Sequence, residues 1–413
     1  MKTGLAVQQE KIQRGSRDYR FAILALFFGS LAAFGTEYCV QPIIPVFTDT
    51  FGLDPAEASL AVSFGTGGMA CAMLLIASFA RRLPRKKIMA FGLITSAVLA
   101  ILMALSPAFI PILILRLIQG ILLAGFPALA VAYINEEFDA SILGAVIGIY
   151  VSGTSVGGLA GRVILSTLTD FFSWRVALLI FGILYTGIGI AFLLLLPEPR
   201  KKLDKAGKIA GWQEFGRLLR NRRLLGVYFI AFCVMVSFVC TYNFISYILL
   251  APPYELSQTA IGSIYALYFL GTAASTIMGR LSDRLSGGPV ICISVLCMMA
   301  GALVSLAAPL ALKLVGIGLL TYGFFGAHSV ACGWAGRLDS SDKARISSLY
   351  MFFYYLGASI IGTLGGRFLA LWQWPGIVGF ILAVLCVSLG IACWLMVTDE
   401  TYQRRQSGRQ IKA

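Results

Sequence analysis

The sequence predicts an all-α integral membrane protein with twelve transmembrane helices in two pseudo-symmetric six-helix bundles. The 413 residues are 58% hydrophobic and only 13% charged, a balance that ordinary soluble domains do not have. Apolar windows of about 20 residues, each long enough to cross a bilayer, recur twelve times along the chain. One sizeable polar segment, 197–223, separates the first six windows from the last six.

These windows define the predicted spans. They lie at 21–47, 57–80, 86–105, 108–134, 141–169, 174–196, 224–251, 258–280, 288–308, 310–336, 344–371 and 374–397. We therefore predict an N-terminal bundle over 1–196, a cytoplasmic linker over 197–223 and a C-terminal bundle over 224–413.

The positive charge of the chain is distributed unevenly between the two sides of the membrane. The net charge is +14, and 28 of the 33 lysines and arginines fall in the tails and in the connections of one side. Because cytoplasmic segments are enriched in basic residues, we predict cytoplasmic termini and a multi-pass protein of the bacterial inner membrane. The surplus then reflects topology and attraction to anionic lipid, so we expect no nucleic-acid partner.

The linker contains a set of large apolar residues at helical spacing among basic residues. This pattern predicts a short amphipathic helix on the membrane surface, and a plain charged linker is the alternative. The residues are Trp212, Phe215, Leu218 and Leu219.

The first span carries a single charge, Glu37, which lies roughly 15 Å from the Phe47 end by helical rise. An ionised carboxylate near the middle of the hydrocarbon costs several kcal/mol. We therefore expect Glu37 to face a cavity or a partner, and to take up and release protons.

The two halves of the chain form a weak internal repeat. A shift of 204 residues superposes Glu37-Tyr38 on Thr241-Tyr242, in corresponding spans. Duplicated six-helix units of this kind place the substrate between the halves, near the midplane.

The segment Gly279–Arg284, GRLSDR, resembles the GxLxDR signature of the major facilitator superfamily. The resemblance implies that Asp283 and Arg284 belong to a cytoplasmic gate, in which a carboxylate pairs with an arginine of the other half. The copy in the first half keeps Arg82 but has Arg81 in place of the aspartate and Pro84 in place of the glycine. The alternative for both copies is a basic loop without a gating role.

The fourth span contains a second motif of this superfamily, because Arg116-Leu-Ile-Gln119-Gly120 resembles RxxQG. Arg116 lies roughly 12 Å inside the membrane by helical rise, close to the depth of Glu37. We expect the guanidinium to influence the protonation of Glu37. The alternative is an arginine that reaches out to the membrane surface.

The fifth span resembles the antiporter motif GxxxGPxxGG, with Gly158 in place of the proline and Arg162 in place of the last glycine. Small residues at this spacing let two helices approach closely. Further runs in both halves, among them 38–45 and 347–366, extend the resemblance over the whole chain, towards the drug/proton antiporters of the bacterial inner membrane. The resemblance implies proton-driven export of small organic compounds.

Polar and aromatic side chains within the spans are the candidates for the substrate pocket, with hydrogen bonding between helices as the alternative for each. His328 is the one histidine, and it could relay protons, bind substrate or simply bond a neighbouring helix. The candidates are Glu37, Tyr38, Gln41, Tyr150, Tyr242, Asn243, Tyr322, His328, Tyr354 and Tyr355.

Three functions compete for this sequence. We expect a monomeric exporter that works by alternating access and exchanges protons for a small amphipathic substrate at Glu37. The second is a metabolite (sugar or organic anion) exporter or uptake carrier, in which Arg116, Arg162 or His328 binds an anion. The third is a membrane enzyme, which the lack of an acidic pair, metal-ligand motif or nucleophile motif within the spans disfavours. We expect no cofactor and no metal.

Overall fold

The computed structural model describes residues 11–79, 82–200, 212–338 and 343–410, and it is almost entirely helical there. The first half contains α1 to α8, which are Arg17–Tyr38, Ile44–Phe51, Pro55–Phe79, Arg85–Ala104, Phe109–Leu123, Gly125–Glu137, Leu143–Phe171 and Trp174–Leu195. The second half contains α9 to α15, which are Trp212–Arg220, Arg222–Leu250, Gln258–Ile264, Tyr268–Leu285, Gly287–Val304, Leu310–Leu338 and Lys343–Gln410.

Several spans are built from more than one helix. The first runs from Arg17 to Phe51 through α1, a 3-10 turn at Gln41–Ile43, and α2. Pro42 and Pro45 lack the N–H that a continuous helix needs, so the chain cannot cross this point as one α-helix. A second 3-10 turn, Tyr265–Leu267, joins α11 to α12.

The prediction of an all-α membrane protein is confirmed. In the described residues, eleven segments are long and apolar enough to cross a membrane, against the twelve that we predict. The difference arises in α15, where Trp372 and Gln373 leave the helical conformation and divide the element in two. One apolar segment, Leu364–Thr398, extends across that break.

The helices pack by sequence half, with two seams between the halves. In the first half α1 lies against α7 and α8, and α3 lies against α5; in the second half α10 packs on α14 and α15. The seams are formed by α3 against α15 and by α7 against α11 and α12. We call the side of the protein at which α9 lies the linker side, and the opposite side the far side.

Glycine determines how closely α1 and α7 approach. A Cβ on Gly161 would lie 2.3 Å from the Gly35 oxygen, and a Cβ on Gly157 would lie 2.3 Å from the Leu31 oxygen. Because these clashes are with backbone atoms, no change of rotamer relieves them. The glycines of the antiporter-like motif therefore form the contact between these two helices.

The linker contains the amphipathic helix α9, and its apolar face turns towards α10 and α15. Leu218 is fully buried, whereas the neighbouring Leu219 is 38% exposed. Residues 201–211 of the linker lie outside the described part of the chain.

We expect Leu218→Ala to release α9 from the bundle, because emptying a buried leucine site costs about 2–5 kcal/mol. Trypsin should then cleave the variant after Arg217 and Arg220 at least about tenfold faster than it cleaves the unmodified protein. Leu219→Ala is the matched control and should leave the cleavage rate nearly unchanged. Equal rates for the two variants would contradict the docking of α9 through Leu218.

Candidate functional site

Glu37 lies at the end of α1, immediately before the break in the first span. The residue is 1% exposed, so its side chain faces the interior of the protein. Both carboxylate oxygens are buried and have no hydrogen-bond partner in the described part of the chain. A buried carboxylate without partners is tolerated far better neutral than charged.

Arg116 extends from α5 to the backbone of two other helices and is fully buried. Its Nε donates to the Ala61 oxygen at 2.7 Å. Its Nη1 donates to the Thr36 oxygen at 3.3 Å, and its Nη2 donates to the Glu37 oxygen. The guanidinium therefore links α5 to α1 and α3 through main-chain carbonyls.

The other residues of the RxxQG-like motif hold Arg116 in place. Gln119 Oε1 accepts a hydrogen bond from Arg116 Nη1, and Gln119 Nε2 donates to the Ser96 oxygen at 2.7 Å. At Gly120, an added Cβ would lie 1.9 Å from the Gly65 oxygen, so α5 and α3 touch through their backbones. Each polar residue of the motif is thus buried and bonded.

The Glu37 carboxylate and the Arg116 guanidinium are neighbours without forming an ion pair. A Cβ placed on Gly65 would lie 2.6 Å from Arg116 Nη2 and 3.2 Å from Glu37 Oε1. No N–O distance within 4.0 Å joins the two side chains among the ion pairs of the described residues. A short movement of either side chain would bring them into contact.

Arg162 lies on the far half of α7, where the two halves of the chain meet, and is 3% exposed. Its Nε donates to Gln41 Oε1 at 2.8 Å, and Gln41 Nε2 donates in turn to Asn243 Oδ1 at 2.7 Å. Its guanidinium carbon lies 4.8 Å from the ring centroid of Tyr265 and 5.0 Å from that of Tyr268. Arg162 thus contacts two aromatic rings of the second half directly and is linked to Asn243 of that half through Gln41.

Other hydrogen bonds join the halves on the same side. Thr48 and Tyr247 share a hydroxyl–hydroxyl bond of 2.6 Å, and the Ser359 hydroxyl donates to the Ser63 oxygen at 2.8 Å. The Ser166 hydroxyl donates to the Gln258 oxygen. These bonds close the far half of the seam around Arg162.

Aromatic rings continue from Arg162 through the second half of the chain. The Tyr242 ring stacks on Tyr265 at 5.0 Å, and its hydroxyl lies 2.8 Å from that of Thr321. The Phe238 ring lies 5.0 Å from the Tyr242 ring and stacks on the Phe324 ring at 3.8 Å, so it connects the two.

His328 lies at the end of this aromatic row. Its ring is stacked at 5.9 Å on Phe324 and lies 4.7 Å from Tyr354. The Tyr350 hydroxyl lies 3.0 Å from both Nδ1 and the backbone oxygen of His328. The carbonyl can only accept, so both contacts are hydrogen bonds when the tyrosine proton goes to the carbonyl and His328 carries its proton on Nδ1. This pattern fits the alternative of a histidine bonded to a neighbouring helix.

The remaining predicted pocket residues are less tightly grouped. Tyr150 stacks on Phe126 within the first half. Tyr355 packs edge-on against Tyr354. Tyr322 is half-buried. The sequence reasoning missed Tyr265 and Tyr268, and the tyrosine spacing in 265–268 was the available signal.

The predicted gate residues lie on the linker side. Asp283 and Arg284 are exposed near the end of α12, and Asp283 lines a cavity of about 380 Å³ with Trp334 and Arg337. Arg337 donates to the Ser282 hydroxyl at 3.3 Å. Arg82 is exposed as well. The gating role of Asp283, Arg284 and Arg82 stays a prediction.

This fold, with buried charges between two sets of apolar helices, is that of a multi-pass membrane transporter. The chain belongs to the Major Facilitator Superfamily, whose sequence profile matches residues 26–336 and 227–411. The resemblance to that superfamily is thereby confirmed.

Relatives match along nearly the whole chain. The uncharacterized transporter YybF of Bacillus subtilis is 37% identical over 93% of this chain and 95% of its own length. The inner membrane transport protein YnfM of Escherichia coli is 36% identical over 94% of this chain and 93% of its own. The chloramphenicol resistance protein CraA of Acinetobacter baumannii is 24% identical over 84% of this chain and 86% of its own.

Solved structures share the fold at low sequence identity. A bacterial homologue of the human lysosomal transporter Spinster, inward-facing and occupied, has a TM-score of 0.74 at 18% identity, covering 94% of this chain and 99% of that one. The nucleoside transporter NupG has a TM-score of 0.73 at 16% identity, covering 92% and 99%.

Proposed function

We propose that this transporter exports small amphipathic organic compounds in exchange for protons, by alternating access of the two bundles. The observation that carries the proposal is the environment of Glu37, a buried acid with no hydrogen-bond partner for its carboxylate, beside Arg116. The resemblance to drug/proton antiporters and the likeness to CraA support the export of organic compounds. Both termini are then cytoplasmic.

In this mechanism the proton on Glu37 determines what Arg116 binds. With Glu37 neutral, the guanidinium stays on the carbonyls of Thr36 and Ala61. Loss of the proton leaves a buried negative charge, which Arg116 can neutralise by leaving those carbonyls. Because the carbonyls belong to α1 and α3, the exchange changes how these helices are held, and α3 packs on α15 of the other half.

The proposal is tested by transport in proteoliposomes that contain the full chain. An imposed proton gradient should drive uphill movement of an amphipathic substrate against the direction of proton flow. A protonophore should abolish accumulation and leave downhill exchange. Uphill transport that persists after collapse of the proton gradient would contradict proton coupling.

The alternative, a metabolite (sugar or organic anion) exporter or uptake carrier, has one observation in its favour. Arg162 is buried where the bundles meet and has no ion-pair partner within 4.0 Å among the described residues. Arg116 is a weaker candidate for an anion site because all three of its guanidinium nitrogens donate to the surrounding protein. His328 is weaker because its Nδ1 is bonded to the Tyr350 hydroxyl. Comparing the transport direction of charged and uncharged compounds in vesicles separates the two functions.

A further inference from the structure

We propose that Arg162, Gln41 and Asn243 form a binding site for a carboxylate, and that the transported compounds are aromatic or amphipathic organic anions. The inference rests on the proposed function only in placing this site on a transport pathway.

Arg162 provides a buried positive charge whose hydrogen-bonding capacity is only partly used. Of its five N–H groups, Nε donates to Gln41 Oε1 and Nη1 donates to the Gly158 oxygen. The Tyr265 ring is a further neighbour, 4.8 Å from the guanidinium carbon, and its hydroxyl donates to the Tyr242 oxygen at 3.3 Å. All of these partners are neutral, so the charge remains uncompensated within the described seam.

The groups around Arg162 are donors that lack acceptors. In the described part of the chain, Asn243 Nδ2 and the hydroxyls of Tyr38 and Tyr268 are buried without a hydrogen-bond partner. Tyr38 and Tyr268 both face the guanidinium, at 4.6 and 5.0 Å from ring centroid to Cζ. Asn243 joins the group through its 2.7 Å bond from Gln41.

This combination selects the chemistry of the ligand. A buried donor without an acceptor is costly, and a carboxylate offers about four acceptor sites together with the missing negative charge. An ammonium group has only donors and would repel the guanidinium. The tyrosine faces that surround the charge suit an apolar or aromatic body attached to the carboxylate.

Glu37 forms no ion pair with Arg162 within 4.0 Å among the described residues, and its carboxylate lies beside Arg116. The two arginines therefore have separate roles. Arg116 lies beside the proton site, and Arg162 is available to a substrate. The buried centre then carries a positive charge that an organic anion complements.

The test is binding to the purified full-length protein, measured by thermal stabilisation and titration. The probes are a series of phenylalkanoates, their matched amides and their matched amines. We expect the best carboxylate to bind about tenfold or more tightly than its amide, and the amines to bind most weakly. If no carboxylate of the series binds more tightly than its amide, the inference is overturned.

Substitutions at Arg162 and Asn243 test whether these residues cause the tighter binding of carboxylates. Arg162→Gln should abolish the advantage of the carboxylate, and Arg162→Lys should keep part of it. Asn243→Asp places a negative charge next to the site and should weaken carboxylate binding about tenfold or more, while amide binding changes little. This variant also keeps the test decisive if Arg162→Gln fails to fold. Arg175→Gln, which removes a guanidinium bound to the Ala104 and Ser106 oxygens, is the control.

The outcomes are independent of proton coupling, because binding requires no gradient. If Arg162 is only a structural latch, its variants lower the melting point but change carboxylate and amide binding equally, which overturns the inference. If proton coupling at Glu37 fails instead, the carboxylate preference persists.

Discussion

Proteoliposomes containing Glu37→Gln should show no proton-driven accumulation of substrate, a loss of at least about a hundredfold in uphill transport. The amide has nearly the size of the carboxyl group but cannot release a proton, so the exchange of Arg116 between carbonyls and carboxylate cannot occur. Folding should be preserved, because neither carboxylate oxygen makes a hydrogen bond that the substitution would break. Downhill substrate exchange should continue.

Glu57→Gln is the matched control for that experiment. Glu57 is exposed in the first turn of α3, at the far end of the neighbouring span. Its substitution should leave uphill transport within about twofold of the unmodified protein. Retained proton-driven accumulation in Glu37→Gln would show that another group carries the proton.

Gly120→Ala should prevent the protein from folding as observed or destabilise it strongly. The added Cβ would lie 1.9 Å from the Gly65 oxygen and 2.7 Å from the Gly65 carbonyl carbon. Overpacking usually costs about 1–3 kcal/mol when side chains can adjust, and here two backbones would have to separate. We therefore expect Gly120→Ala to lower the free energy of unfolding by more than about 3 kcal/mol. The loss would be measured as a lower melting point and poor recovery of the protein from the membrane.

The matched control is Gly144→Ala, because a Cβ there would meet nothing within 4 Å. It should leave the melting point nearly unchanged, since alanine also favours the helix. Similar melting points for Gly120→Ala and Gly144→Ala would contradict the backbone contact between α5 and α3.

The sequence could predict which charged residues are functional candidates, because a charged side chain within the membrane costs several kcal/mol of free energy. Glu37 was found from its burial cost and depth, and Arg116 from its resemblance to the RxxQG motif and its depth. The structure places both beside the same glycine, Gly65. The sequence could not predict that Arg116 would bind main-chain carbonyls, since those become available through the packing of α1 and α3. The relative position of Glu37 and Arg116 determines how protonation of Glu37 changes the groups that Arg116 binds.

The contacts of Arg162 were harder to predict from the sequence. The substitution in the antiporter-like motif drew attention to the residue, but its ring contacts come from Tyr38 and from Tyr265 and Tyr268 of the other half. Contacts between residues more than 100 positions apart depend on how the bundles dock, which hydrophobic periodicity does not encode. The break within α15 at Trp372 and Gln373, by contrast, lies between the predicted spans 344–371 and 374–397.

The most direct test of Glu37 as the coupling group is to let substrate drive protons. Proteoliposomes with a trapped pH indicator and no initial pH gradient are given an outward-directed substrate gradient. We expect the lumen to acidify as substrate leaves in exchange for protons, and we expect no acidification with Glu37→Gln. Equal acidification by the two proteins, or none by the unmodified protein while substrate leaves, would contradict the account.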